Sequence, residues 1–441
     1  PRNAYGPYFQ RQRVEIYHTY AKSLVERGLA YPCFCTEEEL DKVRAKQEED
    51  KVLTGYYGEY ATCRNLSYEE IEANIKAGKP YVLRLRSQGS PDKEITFVDA
   101  IKGEIKLPEN IHDIVLLKKD GIPTYHFAHA IDDHLMRTTT VVRGGEWLAS
   151  APIHYELFHL LGFKMPAYAH TAHLMKFDEE TGGKRKLSKR KDPELSLDYY
   201  RKDGYHPYTM KVYLLTLLNS NFEEWHEKFP DKDINEFPFS VEKMNQSGAL
   251  FDKDKLHNIC KNELSKLSEE ELYDFLYDWA KENEPENVEK WFSDREKMLQ
   301  ILRLYMGVGA KRRRKDLMYA KQIFELISYF FDGESAEEMD EFKLDEDMVS
   351  KILKSYLAKY DHNDDNSVWF NKLKEIADEH GFASDMKAYK ANPENFKGNV
   401  SDIAEAVRIA VTGRANTPDL WTIVHIMGEE QMTERIKKHI K

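Results

Sequence analysis

The pattern of apolar residues changes near Phe237, and this change limits the fold more than any other feature of the chain. Before it, helical periodicity mixes with short alternating or β-branched runs at 81–86, 95–98 and 114–117, which predict strands. After it, glycine and proline become sparse and amphipathic stretches dominate, namely 269–281, 294–305, 318–331, 370–380 and 400–411. The sequence therefore predicts an α/β part joined to an all-α part through the irregular segment 229–239, and 441 residues suffice for several domains.

Two local signals predict where the first helices end and begin. Apolar residues recur at three- and four-residue spacing through 8–28, and Gly28 suits the end of that helix because glycine adopts a left-handed backbone without a steric penalty. Thr36 with Glu39 three residues later predicts a capping box, in which each side chain accepts from the other residue's backbone N–H. We therefore expect a second helix to begin after Thr36.

The bulk composition excludes several classes of protein. No apolar run approaches the ~18–20 residues that a membrane helix needs, and the segment from Pro1 to Pro7 lacks the apolar core of a secretory signal. Four cysteines in this length do not make a disulfide scaffold and fit a reducing cytoplasm. A formal charge of −12 argues against indiscriminate nucleic-acid binding, although local basic patches can still meet phosphates. The sequence thus predicts a cytoplasmic protein that does not enter a membrane.

The most informative segment is a basic loop at 183–191. Gly183 opens it, and six of the eight residues from Lys184 to Lys191 are basic. Clustered ammonium and guanidinium groups suit a polyphosphate, because each cation offsets charge that develops on the phosphates and on a pyrophosphate leaving group. A bare basic cluster of this kind is also typical of a solvated loop or a localisation signal.

The surrounding motifs decide between these readings. Residues 186–190, Lys-Leu-Ser-Lys-Arg, resemble the KMSKS signature of class I aminoacyl-tRNA synthetases in the form common among glutamyl enzymes. In order and spacing, 123–129, 132–136, 141–148 and 152–154 are similar to the second half of the glutamyl-tRNA synthetase catalytic domain. Residues 6–13 and 28–36 resemble the family's entry into its acceptor-binding insertion, and 408–414 resemble its anticodon-binding domain. The chain thus resembles the bacterial-type glutamyl-tRNA synthetases over nearly its whole length.

The resemblance implies a Rossmann-like class I catalytic domain that lacks its first βα unit, followed by helical modules. The implied parts are a partial catalytic domain at 1–20 and 124–179, an inserted α+β acceptor-stem-binding domain at 21–123, a stem-contact domain with the basic loop at 180–260, and a helical anticodon-binding region at 261–441. The last part is one bundle or two, with a boundary near 345 in the second case.

The resemblance also implies a glutamate pocket. Arg143 would pair with the side-chain carboxylate of the substrate, because a planar guanidinium forms two parallel hydrogen bonds to a carboxylate. Tyr125 would form a wall of the same pocket, and His129 stands where many relatives carry asparagine. Taken alone, such an arginine is more often part of an ordinary ion pair, and such a tyrosine is more often core.

For ATP, the resemblance implies Lys186, Ser188 and Lys189 as catalytic residues, with Mg²⁺. Lys189, Arg190 and Trp147 would bind the nucleotide, although core packing is an equally good reading of Trp147. A metal or acid/base role for the neighbouring carboxylates Asp132 and Asp133 is less favoured than a structural role that orders the strand end and nearby loops.

Three cysteines suggest a second kind of site. Cys33 and Cys35, two residues apart, and Cys63 further on offer three thiolates for a tetrahedral Zn²⁺ site. Some members of the resembled family hold zinc here with a Cys-x-His pair, but Asn65 fills the histidine position. A tyrosine such as Tyr57 or Tyr60 could supply the fourth ligand. A site that has lost its metal is the alternative.

The activity that the resemblance implies is the ATP-dependent ligation of L-glutamate to tRNA(Glu) in two steps by a monomer. The family's catalytic domain begins with a HIGH-type sequence and an early glutamate-binding arginine, and no HIGH-type sequence occurs here. We therefore expect the 441 residues alone to have little charging activity and the protein with that segment to have it. The alternatives are a glutaminyl enzyme, which the helical tail and Arg143 disfavour, a non-discriminating enzyme that also charges the glutamine tRNA with glutamate, and a non-catalytic tRNA-binding paralogue.

Overall fold

The structure, a computed structural model, describes residues 5–178, 180–246, 248–331 and 339–441. It divides into a first unit, Pro1–Lys186 with Thr216–Phe251, and a second unit, Leu187–Leu215 with Asp252–Lys441. The predicted order of a mixed α/β part and then a helical part is confirmed. Within the described residues, no helix combines the length and the hydropathy needed to span a bilayer.

The first unit contains every strand of the described residues. They are β1 (Ala30–Cys33), β2 (Val82–Leu85), β3 (Glu94–Asp99), β4 (Gly103–Pro108), β5 (Val115–Leu117), β6 (Thr140–Gly144), β7 (Ala167–Thr171), β8 (Leu174–Phe177), β9 (Lys184–Lys186) and β10 (Ala249–Leu250). Its first helices are α1 (Val14–Glu26), α2 (Glu37–Glu49), α3 (Tyr68–Lys76), α4 (Tyr125–Leu135) and α5 (Ala151–Leu161). All three strands predicted from the sequence are present as β2, β3 and β5.

The local helix signals act as predicted. Gly28 follows α1 with a φ of 69°, in the left-handed region that favours glycine. The Thr36 side chain accepts from the backbone N–H of Glu39, whose carboxylate accepts from the backbone N–H of Thr36, so the capping box opens α2. Both ends are therefore fixed by interactions within a few residues.

A four-stranded sheet in the order β4-β3-β7-β6 positions the candidate site. β6 and β7 run parallel, β3 is parallel to β7, and β4 is antiparallel to β3. A three-stranded sheet, β1-β2-β5, packs with α1, α4 and α5 around one core. Fully buried members of that core include Tyr17, Leu24, Leu85, Leu116 and Phe127. A third sheet, β10-β8-β9, leads into the basic loop.

The helices that follow lie mostly in the second unit. α6 (Leu197–Asp203) belongs to it, α7 (Pro207–Leu218) begins in it, and α8 (Phe222–Lys228) belongs to the first unit. The remaining helices are α9 (Lys253–Leu264), α10 (Glu269–Asn283), α11 (Val288–Phe292), α12 (Arg295–Met306), α13 (Ala320–Ile327), α14 (Glu346–Lys359), α15 (Asn366–His380), α16 (Met386–Ala391), α17 (Val400–Thr412), α18 (Leu420–Met427) and α19 (Glu429–Lys437). The five predicted amphipathic stretches correspond to α10, α12, α13, α15 and α17.

One core runs through the second unit. Leu276 of α10, Leu302 of α12, Leu353 of α14, Ile376 of α15 and Val407 of α17 are all fully buried in it. Because each of these helices buries one face in this core, its apolar residues recur at helical spacing in the sequence.

The change from the first unit to the second does not fall at the predicted linker. The irregular segment 229–239 lies within the first unit, with a 3₁₀ turn at Ile234–Glu236, and the second unit resumes only at Asp252. The prediction that this segment joins the α/β part to the helical part is therefore wrong. β3 and β4 fall inside the predicted insertion, 21–123, yet they pair into the sheet of β6 and β7. The four domain ranges stay a prediction, and their residues 1–4, 179, 247 and 332–338 lie outside the described residues.

Candidate active site

Arg143 and His170 lie side by side on adjacent parallel strands. Arg143 precedes the last residue of β6, and the register pairs it with His170 of β7. After β6 the chain turns into a 3₁₀ segment, Gly145–Ser150, that carries Trp147. α5 follows directly and contributes the fully buried His154. One strand end and one helix start thus surround the guanidinium.

The Arg143 guanidinium is held by three acceptors that carry no negative charge. Its Nε donates to Nε2 of His170 at 2.9 Å, and Nη1 lies 3.1 Å from Nδ1 of His154. Nη2 donates to the Trp147 carbonyl at 3.4 Å, and the guanidinium carbon lies 4.7 Å from the centre of the Tyr168 ring. Because a guanidinium has five N–H groups, one N–H remains on each terminal nitrogen.

The two histidines can accept from Arg143 only as neutral rings. Burial, aided by the nearby His129 and Arg143, lowers the pKa of His154 to about 2. Burial also lowers the pKa of His170, although Asp99 acts in the opposite direction. His154 therefore donates from Nε2 to Nδ1 of His126, 2.9 Å away, and accepts from Arg143 at Nδ1. Among the described residues, Arg143 makes no ion pair, so its charge is available to an anion.

The other two residues predicted for the glutamate pocket lie on α4 beside Arg143's partners. The Tyr125 ring stacks on His129 with centroids 5.6 Å apart and lies 4.5 Å from Trp147. His129 lies between Asp133, 2.5 Å from Nδ1, and the Tyr168 hydroxyl, 2.7 Å from Nε2. Tyr125 is 46% exposed, so its ring forms an accessible wall. The structure thus brings Arg143, Tyr125 and His129 together with Trp147, while their roles stay predictions.

Sequence reasoning missed the residues that hold Arg143. His170, His154 and Asp99 received no role, although His154 stood in a motif already singled out. A histidine in an apolar run is ordinarily a satisfied core residue, so the only signal was the recurrence of such histidines near Arg143.

Asp132 and Asp133 both lie in the last turns of α4, before the loop that leads to β6. Asp132 accepts from Arg13 at 2.9 Å and from the Tyr17 hydroxyl at 2.7 Å. Asp133 orients His129. Both contacts are structural, which agrees with the reading that the sequence favoured.

The basic loop begins in the first unit and continues in the second. Lys186 ends β9, and its Nζ lies 4.0 Å from a carboxylate oxygen of Glu146. Gly144 permits Glu146 to fold back, because a Cβ at Gly144 would lie 2.2 Å from that carboxylate. Lys186 is therefore near the residues that follow Arg143 in the chain.

Beyond Lys186, a tight turn shapes the loop. Leu187 is buried, the Ser188 N–H donates to Asp192 at 2.8 Å, and the Ser188 carbonyl accepts from the N–H of Asp192 at 2.9 Å. Lys189 and Arg190 are exposed within this turn. The buried Leu187 anchors one end of the loop, and the turn from Ser188 to Asp192 holds Lys189 and Arg190 exposed to solvent.

The three cysteine sulfurs lie within 4.8 Å of one another. The Sγ atoms of Cys35 and Cys63 are 3.5 Å apart, and the Tyr56 hydroxyl lies 3.4 Å from Cys33 and 3.3 Å from Cys35. Hydrogen bonds from Cys35 and Cys63 lower the pKa of Cys33, so the cluster readily holds a thiolate. Three sulfurs and one oxygen at this spacing fit a tetrahedral zinc ion.

The tyrosine at this cluster is not either of those named from the sequence. The Tyr57 hydroxyl donates to the Leu53 carbonyl at 2.6 Å, and the Tyr60 hydroxyl donates to Asp50 at 3.0 Å. Tyr56 is the tyrosine that faces the sulfurs, so Tyr57 and Tyr60 were wrong as candidates for a fourth ligand.

Comparison with known families identifies both halves of the chain. Residues 2–258 match the family described as tRNA synthetases class I (E and Q), catalytic domain. Residues 271–440 match the family described as anticodon binding domain. The two matches together cover the first unit and nearly all of the helical part.

Individual relatives match nearly the whole of this chain. A glutamate–tRNA ligase of Acetivibrio thermocellus is 53% identical over 98% of this chain and 79% of that protein. One from Clostridium perfringens is 47% identical over 100% of this chain and 80% of that protein. A crystal structure of a glutamate tRNA ligase from Elizabethkingia meningosepticum, in complex with its amino acid, superposes with a TM-score of 0.75 at 26% identity, covering 99% of this chain and 84% of that one.

Proposed function

The chain belongs to the class I tRNA synthetases for glutamate and glutamine, and from that premise we propose that it ligates L-glutamate to tRNA(Glu). The observation that carries the choice of glutamate is Arg143. Its guanidinium is fixed by neutral acceptors, makes no ion pair among the described residues, and retains an N–H on each terminal nitrogen. A side-chain carboxylate supplies the missing negative charge, whereas the amide of glutamine does not.

We propose that the reaction runs in two steps. In the first, an oxygen of the glutamate α-carboxylate attacks the α-phosphorus of ATP, and the bond to the bridging oxygen of the β-phosphate breaks to release pyrophosphate. In the second, a hydroxyl of the terminal ribose of tRNA attacks the carbonyl carbon of the adenylate, the bond from that carbon to the phosphate oxygen breaks, and AMP leaves with its phosphate taking up the hydroxyl proton. Bound Mg²⁺ would supply further positive charge to the phosphates.

The chain's own contribution to these steps is positioning and electrostatics. Lys186 and Lys189 would neutralise the transferring phosphates, and the Ser188 turn holds the loop that carries Lys189 and Arg190. Tyr125 and His129, whose rings are stacked, would form walls of the amino-acid pocket. Trp147, whose ring contacts Tyr125, would extend this aromatic surface toward the nucleotide. None of these roles requires a carboxylate base, which agrees with the structural contacts of Asp132 and Asp133.

We also propose that Cys33, Cys35 and Cys63 bind a structural zinc ion, with the Tyr56 oxygen as fourth ligand. The support is the mutual distance of the sulfurs, at most 4.8 Å, and the position of Tyr56 beside two of them. Zinc in a closed site of this type stabilises the fold and performs no chemistry.

Charging assays with two amino acids and two tRNAs test the proposed function. The entire gene product, supplied with ATP and Mg²⁺, should attach glutamate to tRNA(Glu) and should attach glutamine to neither tRNA. Charging of the glutamine tRNA with glutamate would reveal a non-discriminating enzyme. Glutamine as the preferred amino acid, or tRNA binding without any charging, would contradict the proposal.

A further inference from the structure

Three neighbouring strands bring Asp99, His170 and Arg143 into one line of side chains. Asp99 ends β3, His170 lies on β7 and Arg143 lies on β6, so each residue is fixed by the sheet. Oδ2 of Asp99 is 2.6 Å from Nδ1 of His170, and Nε2 of His170 is 2.9 Å from Nε of Arg143. Asp99 and His170 are 1% and 0% exposed, so water does not compete for these contacts.

The other partners of Asp99 decide where the protons lie. Oδ1 accepts from the backbone N–H groups of Ile101 and Lys102, each at 2.9 Å, and Oδ2 also accepts from the backbone N–H of His170 at 3.0 Å. Burial raises the pKa of Asp99, but the hydrogen bond from the His170 ring, together with these backbone hydrogen bonds, outweighs it and lowers the pKa. The carboxylate is therefore an anion surrounded by donors, and Nδ1 of His170 carries the ring proton.

That tautomer is the one Arg143 needs. With the proton on Nδ1, Nε2 presents a lone pair to the Nε–H of Arg143. The other tautomer would place an N–H against an N–H and would push the guanidinium away. Asp99 therefore fixes the rotation of Arg143 through the intervening ring.

The imidazole of His170 keeps the carboxylate of Asp99 out of direct contact with the Arg143 guanidinium. A carboxylate in direct contact with Arg143 would form an ion pair and would compete with an anionic substrate. Here the negative charge of Asp99 lies one ring away, so Arg143 is oriented but its terminal N–H groups are not taken by a carboxylate.

We propose that Asp99 is a positioning residue for Arg143, acting through His170, and that this pair sets the selectivity of the site for glutamate over glutamine. The inference rests on the proposed function, in which Arg143 receives the substrate's side-chain carboxylate. Asp99 and His170 do not touch the substrate, so their effect reaches it only through the guanidinium.

Two kinds of substitution test the proposal in the entire gene product. Asp99→Asn removes the anion that fixes the tautomer, and it should raise KM for glutamate about tenfold, lower the preference for glutamate over glutamine about tenfold, and leave KM for ATP unchanged. His170→Gln retains an N–H and an acceptor oxygen and should change both values by less than about threefold, whereas His170→Leu removes both and should match Asp99→Asn. This second pair keeps the test decisive if Asp99→Asn does not fold.

Asp113→Asn is the matched control. Asp113 is also a fully buried carboxylate of the first unit, and it accepts from the Tyr31 hydroxyl, the Ser87 N–H and Arg64, with no contact to Arg143. Asp113→Asn should lower the melting temperature without changing KM for glutamate or the selectivity. Equal changes in the Asp99 and Asp113 variants would overturn the positioning role.

A double-mutant cycle separates this inference from the function on which it rests. In an Arg143→Lys background, Asp99→Asn should change KM for glutamate by less than about twofold, because its route to the substrate is gone. Full additivity would overturn the positioning role while the proposed function stands. An Arg143→Lys enzyme with unchanged glutamate selectivity would overturn the glutamate pocket itself, and with it the inference.

Discussion

Replacing Arg143 by lysine is the sharpest perturbation of the candidate site. The guanidinium contacts His170, His154 and the Trp147 carbonyl at 2.9, 3.1 and 3.4 Å and retains two N–H groups. A lysine ammonium keeps the positive charge but has one nitrogen and three donors, so it cannot make these contacts and also hold a carboxylate at two points.

The size of the effect follows from the contacts that are lost. One charge-assisted hydrogen bond to the substrate contributes about 1.5–3 kcal/mol, whereas a buried histidine acceptor left without a donor is common to the free enzyme and the complex and does not enter kcat/KM. A loss of about 1.5–3 kcal/mol corresponds to a decrease of about 10- to 100-fold in kcat/KM. Most of it should appear in KM, because the side chain of glutamate is bound alike in the ground state and the transition state.

The assay is steady-state charging with glutamate varied and with ATP and tRNA saturating. KM for ATP should stay constant, and Arg27→Lys, at an exposed position after α1, should behave as the parent protein. The reasoning is refuted if Arg143→Lys stays within about twofold of the parent protein in kcat/KM for glutamate while both variants remain folded.

Three further predictions concern the titration of the site, the metal and a helix cap. His154 is neutral in the fold, because its pKa is about 2 instead of the ordinary 6.5. Below pH 6.5 the unfolded chain therefore takes up a proton that the folded chain does not, and stability decreases as the pH is lowered. Between pH 6.5 and pH 5 this amounts to about 2 kcal/mol in urea unfolding, which His154→Gln should abolish; equal losses in both proteins would contradict it. Protein purified without chelators should contain about one zinc per chain. Tyr56→Phe should weaken zinc binding, whereas Tyr57→Phe should not. A metal content that Cys63→Ser leaves unchanged would exclude the site. Ser268→Ala removes the capping box of α10 and should lower the unfolding free energy by about 1 kcal/mol, whereas a change below about 0.2 kcal/mol would show that the cap is unimportant.

Features fixed by neighbours in the chain could be predicted from the sequence. The capping box at Thr36, the left-handed Gly28 and the five amphipathic stretches of the second unit all depend on residues within one or a few helical turns. The motifs around Arg143 and Ser188 were visible for the same reason. These signals were sufficient for the fold class and the family.

Features that depend on distant pairing could not be predicted. Asp99 meets His170, 71 residues later in the chain, only because β3 pairs with β7. A one-residue change of register would turn the side chain of His170 to the opposite face of the sheet, and no local pattern specifies that register. The choice of Tyr57 and Tyr60 as candidate zinc ligands was wrong for a similar reason. The hydroxyls of Tyr56, Tyr57 and Tyr60 contact different partners, and the path of the backbone decides which of them faces the sulfurs.

The central claim is that Arg143 binds the side-chain carboxylate of a small dicarboxylic acid and that Lys186, in the same unit, binds the phosphates. A crystal structure of the entire gene product with a non-hydrolysable glutamyl-adenylate analogue measures both halves at once. We expect the side-chain carboxylate to accept two hydrogen bonds from Arg143 at about 2.7–2.9 Å, with the phosphate mimic beside Lys186. An analogue bound with its carboxylate away from Arg143, or with its phosphate mimic remote from Lys186, would contradict the claim.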